Sequence, residues 1–309
     1  MNPFRSKLST KTADSQKTNR TSNGMNLRDW LTQAEKKLKS AGIGSARLDV
    51  LILLEDELAK DRSWLLAHPE NAMRPEELKS LNKEIHRRIK HEPIAYIRGF
   101  SEFYGRRFVV NKDVLEPRPE SETMIELLKN LLCHDSAIYR DTPCIVDVGT
   151  GSGALAITAK LEITDSKVLA VDIDPKCLVV ARQNAKAHGV KIKFFQGDLL
   201  SPLLSTDYRL PTTILLANLP YVPRNFRINQ AAAVEPRLAI FGGSDGLDVY
   251  RRLFDQLSKG TTLRGERTEY ILTESLPPQH EKLAAIAKIV GYKLKKSSDF
   301  IQLFAPDGS

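Results

Sequence analysis

The chain has few of the residues that build metal centres and covalent frameworks. Its three cysteines, Cys133, Cys144 and Cys177, are odd in number, scattered and never arranged as Cys-x-x-Cys. That argues against a disulfide scaffold or a zinc site and fits a reducing compartment. The six histidines form no metal-ligand pair such as His-Glu-x-x-His, so no metal is expected. No apolar run approaches the ~18 residues of a membrane span, and the N-terminus has no secretory apolar core. A cytoplasmic protein with no membrane partner is the expectation. Repeats of solenoid period are absent as well.

What is present is a chain of 309 residues, 41% hydrophobic, long enough for two domains with packed cores. The net charge of +8 invites nucleic acid as a partner. Its distribution argues otherwise. In residues 1–24, Arg5, Lys7, Lys11, Lys17 and Arg20 face only Asp14. Much of the remainder sits on helical stretches such as Glu35-Lys36-Lys37 and His86-Arg87-Arg88, the pattern of solvated helix faces. Residues 1–24 are polar, basic and without periodicity, as in a disordered tail. They lack the uninterrupted apolar face of a transit peptide.

Residues 25–92 read as a small helical bundle. Leu27, Leu31, Ala34 and Leu38 recur at helical spacing and stop at Gly42 and Gly44. Ser45 and Ser63 are candidate caps, and Pro75 suits a first helical position. Leu78, Leu81, Ile85 and Ile89 mark a long helix ending before Pro93. Trp30 and Trp64 fit its core. Residues 93–116 change character: Tyr96, Phe103, Tyr104, Phe108, Val109 and Val110 are strand formers, punctuated by Gly99 and Gly105, which predicts a β-hairpin linker. From 117 to 309, apolar strands are expected at 145–148, 168–172, 192–196, 214–217, 270–273 and 300–304. Helical stretches such as 176–188 and 279–290 lie between them. Such alternation gives a parallel sheet covered on both faces.

Ligands of such sheets bind outside the carboxyl ends of the strands. Ile145-Val146-Asp147-Val148-Gly149-Thr150-Gly151-Ser152-Gly153 is a strand running into a glycine-rich turn before a helix. It nearly matches the dinucleotide pattern Gly-x-Gly-x-x-Gly/Ala, so a nicotinamide cofactor is an alternative. Asp172 ends the next strand, where a carboxylate commonly holds ribose hydroxyls. Asp198 ends the third and can accept from an adenine amino group. Taken singly, strand-end aspartates are more often turn formers or caps. Asn218 ends the fourth strand and opens Asn218-Leu219-Pro220-Tyr221. An Asn there, followed by X-Pro-aromatic, suits holding a planar NH2 group while a methyl group is delivered to its nitrogen.

Together, Asp-Val-Gly-Thr-Gly-Ser-Gly, the acidic strand ends and Asn-Leu-Pro-Tyr resemble a class I (Rossmann-like) S-adenosylmethionine-dependent methyltransferase. More narrowly, the chain resembles the HemK/PrmC family, which methylates the glutamine side chain of peptide chain release factors. Arg47-Leu48-Asp49-Val50-Leu51-Ile52-Leu53-Leu54 is similar to that family's N-terminal helical domain, and Glu92-Pro93-Ile94-Ala95-Tyr96-Ile97-Arg98-Gly99 with Phe103-Tyr104 to its linker. Glu116-Pro117-Arg118-Pro119-Glu120-Ser121-Glu122 is similar to its Pro-Arg-Pro segment. Glu235-Pro236, Asp245-Gly246-Leu247, Glu274 and Gln279 resemble later landmarks. Leu219 stands where the family usually has Pro, Ser121 where it more often has Thr, and Leu276 in place of a Gly. No Arg follows Asp299.

The resemblance implies an α/β enzyme with a helical, substrate-recognising domain at 25–92, a hairpin linker at 93–116 and a catalytic domain at 117–309. S-adenosylmethionine would be the donor, leaving as S-adenosylhomocysteine. The acceptor would be the glutamine of a release factor's Gly-Gly-Gln motif, and the chain would act as a monomer. Donor contacts are expected from Gly149, Thr150, Gly151, Ser152, Gly153, Asp172, Asp198, Leu199 and Asn218. Asn218, Pro220 and Tyr221 would be catalytic, with Leu219, Arg118 and Glu120 joining them around the substrate. Arg118, Glu120 and Glu122 have a plainer reading as a helix start, where acids are favoured. Asn-Leu-Pro-Tyr is also the pattern of ribosomal RNA adenine dimethyltransferases, and adenine N6 is another planar NH2. An RNA adenine N6-methyltransferase is therefore the alternative. The helical domain and the Pro-Arg-Pro segment do not resemble that family.

Overall fold

The computed structural model describes residues 24–134, 142–204, 213–259 and 268–307. The expected disordered tail lies, apart from Gly24, outside the described residues. The chain forms two compact units. One comprises the described residues up to Gly99 together with Asn229–Val234, and the other Phe100–Ile228 and Glu235 onward.

The first unit is helical: α1 Leu27–Ser40, α2 Ala46–Leu58, α3 Arg62–Ala67, α4 Pro75–Ile89 and α5 Ile94–Arg98. Leu27, Trp30, Leu31, Ala34 and Leu38 of α1 bury one face against Val50, Leu53 and Leu54 of α2 and Leu81 and Ile85 of α4. Each leucine, isoleucine or valine among them contributes roughly 1.5–3 kcal/mol on burial. The Asn26 side chain caps α1 by accepting from Asp29 N at 2.9 Å. Pro75 opens α4, where Glu77 Oε2 accepts from Arg74 N at 2.9 Å. Within this unit Arg88 Nε donates to buried Asp49 at 2.6 Å.

Two details differ from the sequence expectation. Asp61, not Ser63, caps α3: Ser63 already lies within the helix, and the Asp61 carboxylate accepts from Trp64 N at 2.7 Å. Residues 94–98 are helical rather than part of the hairpin. Pro93 stands at the N-cap and Gly99, at φ +80°, ends the turn. That gives this stretch a start and a stop of its own.

In the second unit, β1 Phe100–Phe103 and β2 Arg106–Val109 pair antiparallel. α6 Glu122–His134 then leads into β3 Cys144–Val148, α7 Ala154–Glu162, β4 Lys167–Asp172, α8 Pro175–Ala187, β5 Lys193–Gln196 and α9 Ser201–Leu204. β6 Thr213–Ala217, α10 Arg237–Ile240, α11 Asp248–Lys259, β7 Tyr270–Glu274, α12 His280–Ile289, β8 Tyr292–Ser298 and β9 Ile301–Pro306 complete it. The sheet order is β5-β4-β3-β6-β7-β9-β8, parallel from β5 to β7 and antiparallel at β9 and β8.

Alternation along the strands builds two cores. Ile145, Val168, Ala170, Ile214 and Leu216 pack with α6 and α7, whereas Val146, Leu169, Val171, Leu215 and Ile271 pack with Tyr250, Leu253 and Phe254 of α11 and Leu283 of α12. β8 was not foreseen. Its residues from Lys293 to Ser297 are exposed, as suits an edge strand guarded by lysines. The strand order reverses between β3 and β6, the switch point at which open α/β sheets bind ligands.

Candidate active site

A cavity opens at the carboxyl ends of β3 to β6. Its lining includes Gly149, Gly151, Asp172, Asp198, Leu199 and Asn218. The turn after β3 is held from beneath by Asp147, which is fully buried. Its Oδ2 accepts from Thr150 Oγ1 at 2.6 Å and from Ala156 N at 3.2 Å. Burial pushes this carboxyl up to about 7. Thr150 and Ser152 are buried. The Thr150 hydroxyl serves the turn, and the Ser152 carbonyl accepts from Asn184 Nδ2 at 2.8 Å. Gly153 packs against α8, where an added Cβ would meet Ala181 at 3.1 Å. Gly149 and Gly151 thus reach the cavity, while Thr150, Ser152 and Gly153 shape the turn. At Gly151 (φ +54°) an added Cβ would meet no protein atom within 4 Å.

Asp172 ends β4. Its Oδ2 accepts from Gly151 N at 2.8 Å and its Oδ1 from Asp174 N at 2.9 Å. Burial pushes its carboxyl up, against these two donors. Asp198, after β5, is paired with Arg252, and Arg252 also lines the cavity. The carboxylate foreseen for an adenine amino group thus already holds a guanidinium. Leu199 adopts φ +53°, a strained conformation for a branched residue that is characteristic of ligand sites.

At the end of β6, Asn218 Nδ2 donates to Ser121 Oγ at 2.8 Å. Ser121 Oγ donates to Glu274 Oε2 at 2.6 Å, and Tyr221 Oη donates to Glu274 Oε1 at 3.0 Å. Glu274 is completely buried at the end of β7. Its carboxyl is pushed up by burial, with Ser121, Tyr221 and Asn218 as opposing donors. Leu219 is buried, and its N–H donates to Tyr250 Oη at 3.3 Å. The loop is clamped from the other side. Gln279 Nε2 donates to the Tyr221 and Asp245 carbonyls at 2.8 Å each, and Val222 N donates to the Ile240 carbonyl at 3.0 Å. Among the described residues, neither the Leu219 nor the Pro220 carbonyl accepts a hydrogen bond.

Arg118 pairs with buried Glu235 and lies 3.6 Å from Glu116. Glu235 Oε1 also accepts from Glu116 N at 3.2 Å. Glu120 is exposed but acts electrostatically on Tyr221 and Glu274. Glu122 accepts from Tyr104 N at 2.7 Å and so ties the hairpin to α6.

Residues 29–99 match the PrmC N-terminal domain family, and residues 145–230 a methyltransferase domain family. A release factor glutamine methyltransferase of Deinococcus radiodurans is 33% identical over 277 residues, covering 89% of this chain and 95% of that one. One of Staphylococcus aureus is 32% identical, covering 87% and 97%. One of Bacillus cereus is 39% identical over 212 residues, covering 67% and 72%. The chain belongs to the release factor glutamine methyltransferase family.

Within this family member, sequence reasoning did not assign site roles to Glu274, Ser121, Tyr250 and Arg252. One signal was available for Glu274: it ends the strand after the one that Asn218 follows, at the same edge of the sheet. Ser121 lay within the Pro-Arg-Pro segment that carries the resemblance, whereas nothing local marked Tyr250 or Arg252. The donor of the family, S-adenosylmethionine, fits the cavity on two observations. Gly151 leaves room where a side chain would stand, and Asp172 is fixed at the β4 end beside it. Among the described residues no cluster could hold a metal ion, and no helix is long and apolar enough to cross a membrane.

Proposed function

We propose that the chain transfers a methyl group from S-adenosylmethionine to the side-chain amide nitrogen of the glutamine in a release factor's Gly-Gly-Gln motif. The observation that carries this reading is the set of neutral acceptors at the end of β6. Asn218 has its NH2 turned to Ser121, so Oδ1 remains for an incoming N–H. The carbonyls of the next two residues, Leu219 and Pro220, have no protein donors among the described residues, the Pro220 oxygen lying against Gly242. Two such acceptors match the two hydrogens of a planar amide.

When bound, S-adenosylmethionine supplies an electrophilic methyl on its sulfonium. Gly149, Gly151 and Asp172 would hold this donor. Asn218 Oδ1 and a carbonyl of residue 219 or 220 hold the acceptor nitrogen in line, a contribution of up to ~7–11 kcal/mol in favourable intramolecular models. Both groups are uncharged, so they enrich the nitrogen for attack without acting as a strong base. As the methyl–sulfur bond breaks and neutral S-adenosylhomocysteine forms, the excess N–H proton leaves to solvent. Tyr221, anchored through Glu274, lies against the amide plane.

The same geometry accepts adenine N6, but its surroundings do not suit nucleic acid. Glu116, Glu120, Glu235 and Glu274 gather around the acceptor end, and the one arginine among them, Arg118, is taken by Glu235 and Glu116. Carboxylates repel phosphates, whereas RNA binding draws on unpaired Lys and Arg. The helical unit would hold the release factor. The chain would act as a monomer in the cytoplasm.

The test is incubation with labelled S-adenosylmethionine, a release factor and ribosomal RNA together. Label on the release factor glutamine, adding one methyl and abolished by Asn218→Ala, is the expected result. Label on RNA alone overturns the reading.

A further inference from the structure

The geometry points to Glu274 as a positioning residue that fixes the orientation of the Asn218 amide through Ser121. This deepens the proposed function and rests on it for the identity of the acceptor. The inference follows from counting protons. Ser121 has one hydroxyl hydrogen, and it is directed to Glu274 Oε2 at 2.6 Å. The Ser121 oxygen then presents only lone pairs to Asn218, 2.8 Å away. A lone pair must face a donor, so the NH2 end of Asn218 turns to Ser121 and the oxygen turns away from it. Were Glu274 absent, the hydroxyl hydrogen could rotate toward Asn218, and the reversed amide would be equally well satisfied. The reversed amide offers the substrate a donor where its own N–H needs an acceptor.

The second oxygen of Glu274 is used in the same way. Oε1 accepts from Tyr221 Oη at 3.0 Å, so one carboxylate sets both the Asn218 amide and the Tyr221 ring. Glu274 is completely buried, and its hydrogen-bonding neighbours, Ser121 and Tyr221, are neutral. A buried carboxylate that forms no ion pair among the described residues is costly to fold, and the cost is consistent with a role in the site. Glu274 does not contact the reacting atoms in this scheme; its effect passes through Ser121, through the Asn218 NH2 that also acts on it directly, and through Tyr221.

Three variants test this: Ser121→Ala, Ser121→Thr and Glu274→Gln, with the double variant Ser121→Ala/Glu274→Gln. The first readout needs neither donor nor acceptor. It is the side-chain 15N–1H pair of Asn218, assigned by its loss in Asn218→Ala. In the wild type this NH2 should exchange slowly with solvent. Exchange should accelerate about tenfold or more in Ser121→Ala and stay near wild type in Ser121→Thr, which keeps the hydroxyl. The second readout is single-turnover methylation. Ser121→Ala and Glu274→Gln should each lower kcat by roughly 10- to 100-fold, the scale set by mispositioning, with KM for S-adenosylmethionine within about twofold. Because both act through one chain of bonds, the double variant should be little worse than either single one. Unaltered Asn218 exchange in Ser121→Ala, or multiplicative losses in the double variant, overturns the inference. Should Glu274→Gln fail to fold, the Ala-against-Thr contrast at 121 decides alone. If label goes to RNA, the proposed acceptor falls while the amide exchange still reports on Glu274.

Discussion

Ser121 Oγ and Glu274 Oε2 lie 2.6 Å apart across 153 residues of sequence, so the segment before α6 and the end of β7 meet beneath the acceptor loop. Burial pushes the Glu274 carboxyl above the ordinary glutamate value of 4.5. The titratable groups that act on it or share its bonds are Glu120, Tyr221 and Tyr250. A carboxyl raised in the fold contributes stability that is full below 4.5 and lost as pH rises through the raised value. Activity runs the other way, because only the carboxylate offers two acceptors. Across the same window kcat should therefore rise with pH while Tm falls, and Glu274→Gln should flatten both slopes. Single-turnover rates and melting curves from about pH 5 to about pH 8 check this. An acid limb retained in the variant would contradict it.

Tyr250 is a second convergence point. Its hydroxyl accepts from Leu219 N and Glu274 N at 3.3 Å each. The Ala217 carbonyl at 2.9 Å and the Glu274 carbonyl at 2.5 Å share its hydrogen. Tyr250→Phe keeps the ring in the core and deletes only this junction. Buried N–H groups left unpaired cost about 1–3 kcal/mol. Denaturation in urea should show a loss of that size with an unchanged slope. kcat should fall more than donor affinity, because the junction supports Leu219 rather than the glycine turn. A variant as stable as the wild type would show that the hydroxyl is not needed there.

Much of the fold was legible because a sheet covered on both faces writes its strands as apolar runs: Ile145–Val148, Val168–Val171 and Ile214–Ala217 carry no other signal. β8 was illegible for the opposite reason. Lys293, Lys295 and Lys296 on an exposed edge have neither an apolar run nor clean alternation. In the site, strand ends could be read from position alone, which gave Asp172, Asp198 and Asn218. What a strand-end residue is bonded to could not. Arg252 reaches Asp198 from α11 across 54 residues, and no local pattern announces it. Thr150 and Ser152 were expected to face a ligand yet are buried: the Thr150 hydroxyl is taken by Asp147, and the Ser152 carbonyl by Asn184.

Gly246 fixes how closely the α11 approach can pack on the acceptor loop. It adopts φ +84°, and an added Cβ would stand 2.1 Å from the Tyr221 carbonyl oxygen and 2.3 Å from Gln279 Nε2. Gly246→Ala must displace one of them, breaking the bond that clamps Tyr221. A stability loss beyond the ~1–2 kcal/mol of left-handed strain is expected, with kcat reduced at least about tenfold. Gly189 supplies the comparison. It has φ +69° and no atom within 4 Å of an added Cβ, so Gly189→Ala should cost the strain alone and leave methylation intact. Equal effects of the two substitutions would remove the role assigned to the contact at Tyr221.

Asp147 links the glycine turn to pH. Oδ2 takes both donors, Thr150 Oγ1 and Ala156 N, while Oδ1 is buried without a hydrogen-bond partner among the described residues. Burial raises the carboxyl from 3.8 to about 7, and Asp172 adds repulsion. The folded chain therefore holds this proton over a range in which the unfolded chain releases it. The stability it contributes is complete below 3.8 and is lost as pH rises through about 7. Asp147→Asn keeps an acceptor oxygen for Thr150 and Ala156 but cannot ionise. Its urea midpoint should change less between about pH 4 and about pH 8 than that of the wild type, so that it gains relative stability toward alkaline pH. Parallel curves for the two proteins would mean that Asp147 is already ionised throughout. The buried turn would then have to find a second donor for Oδ1.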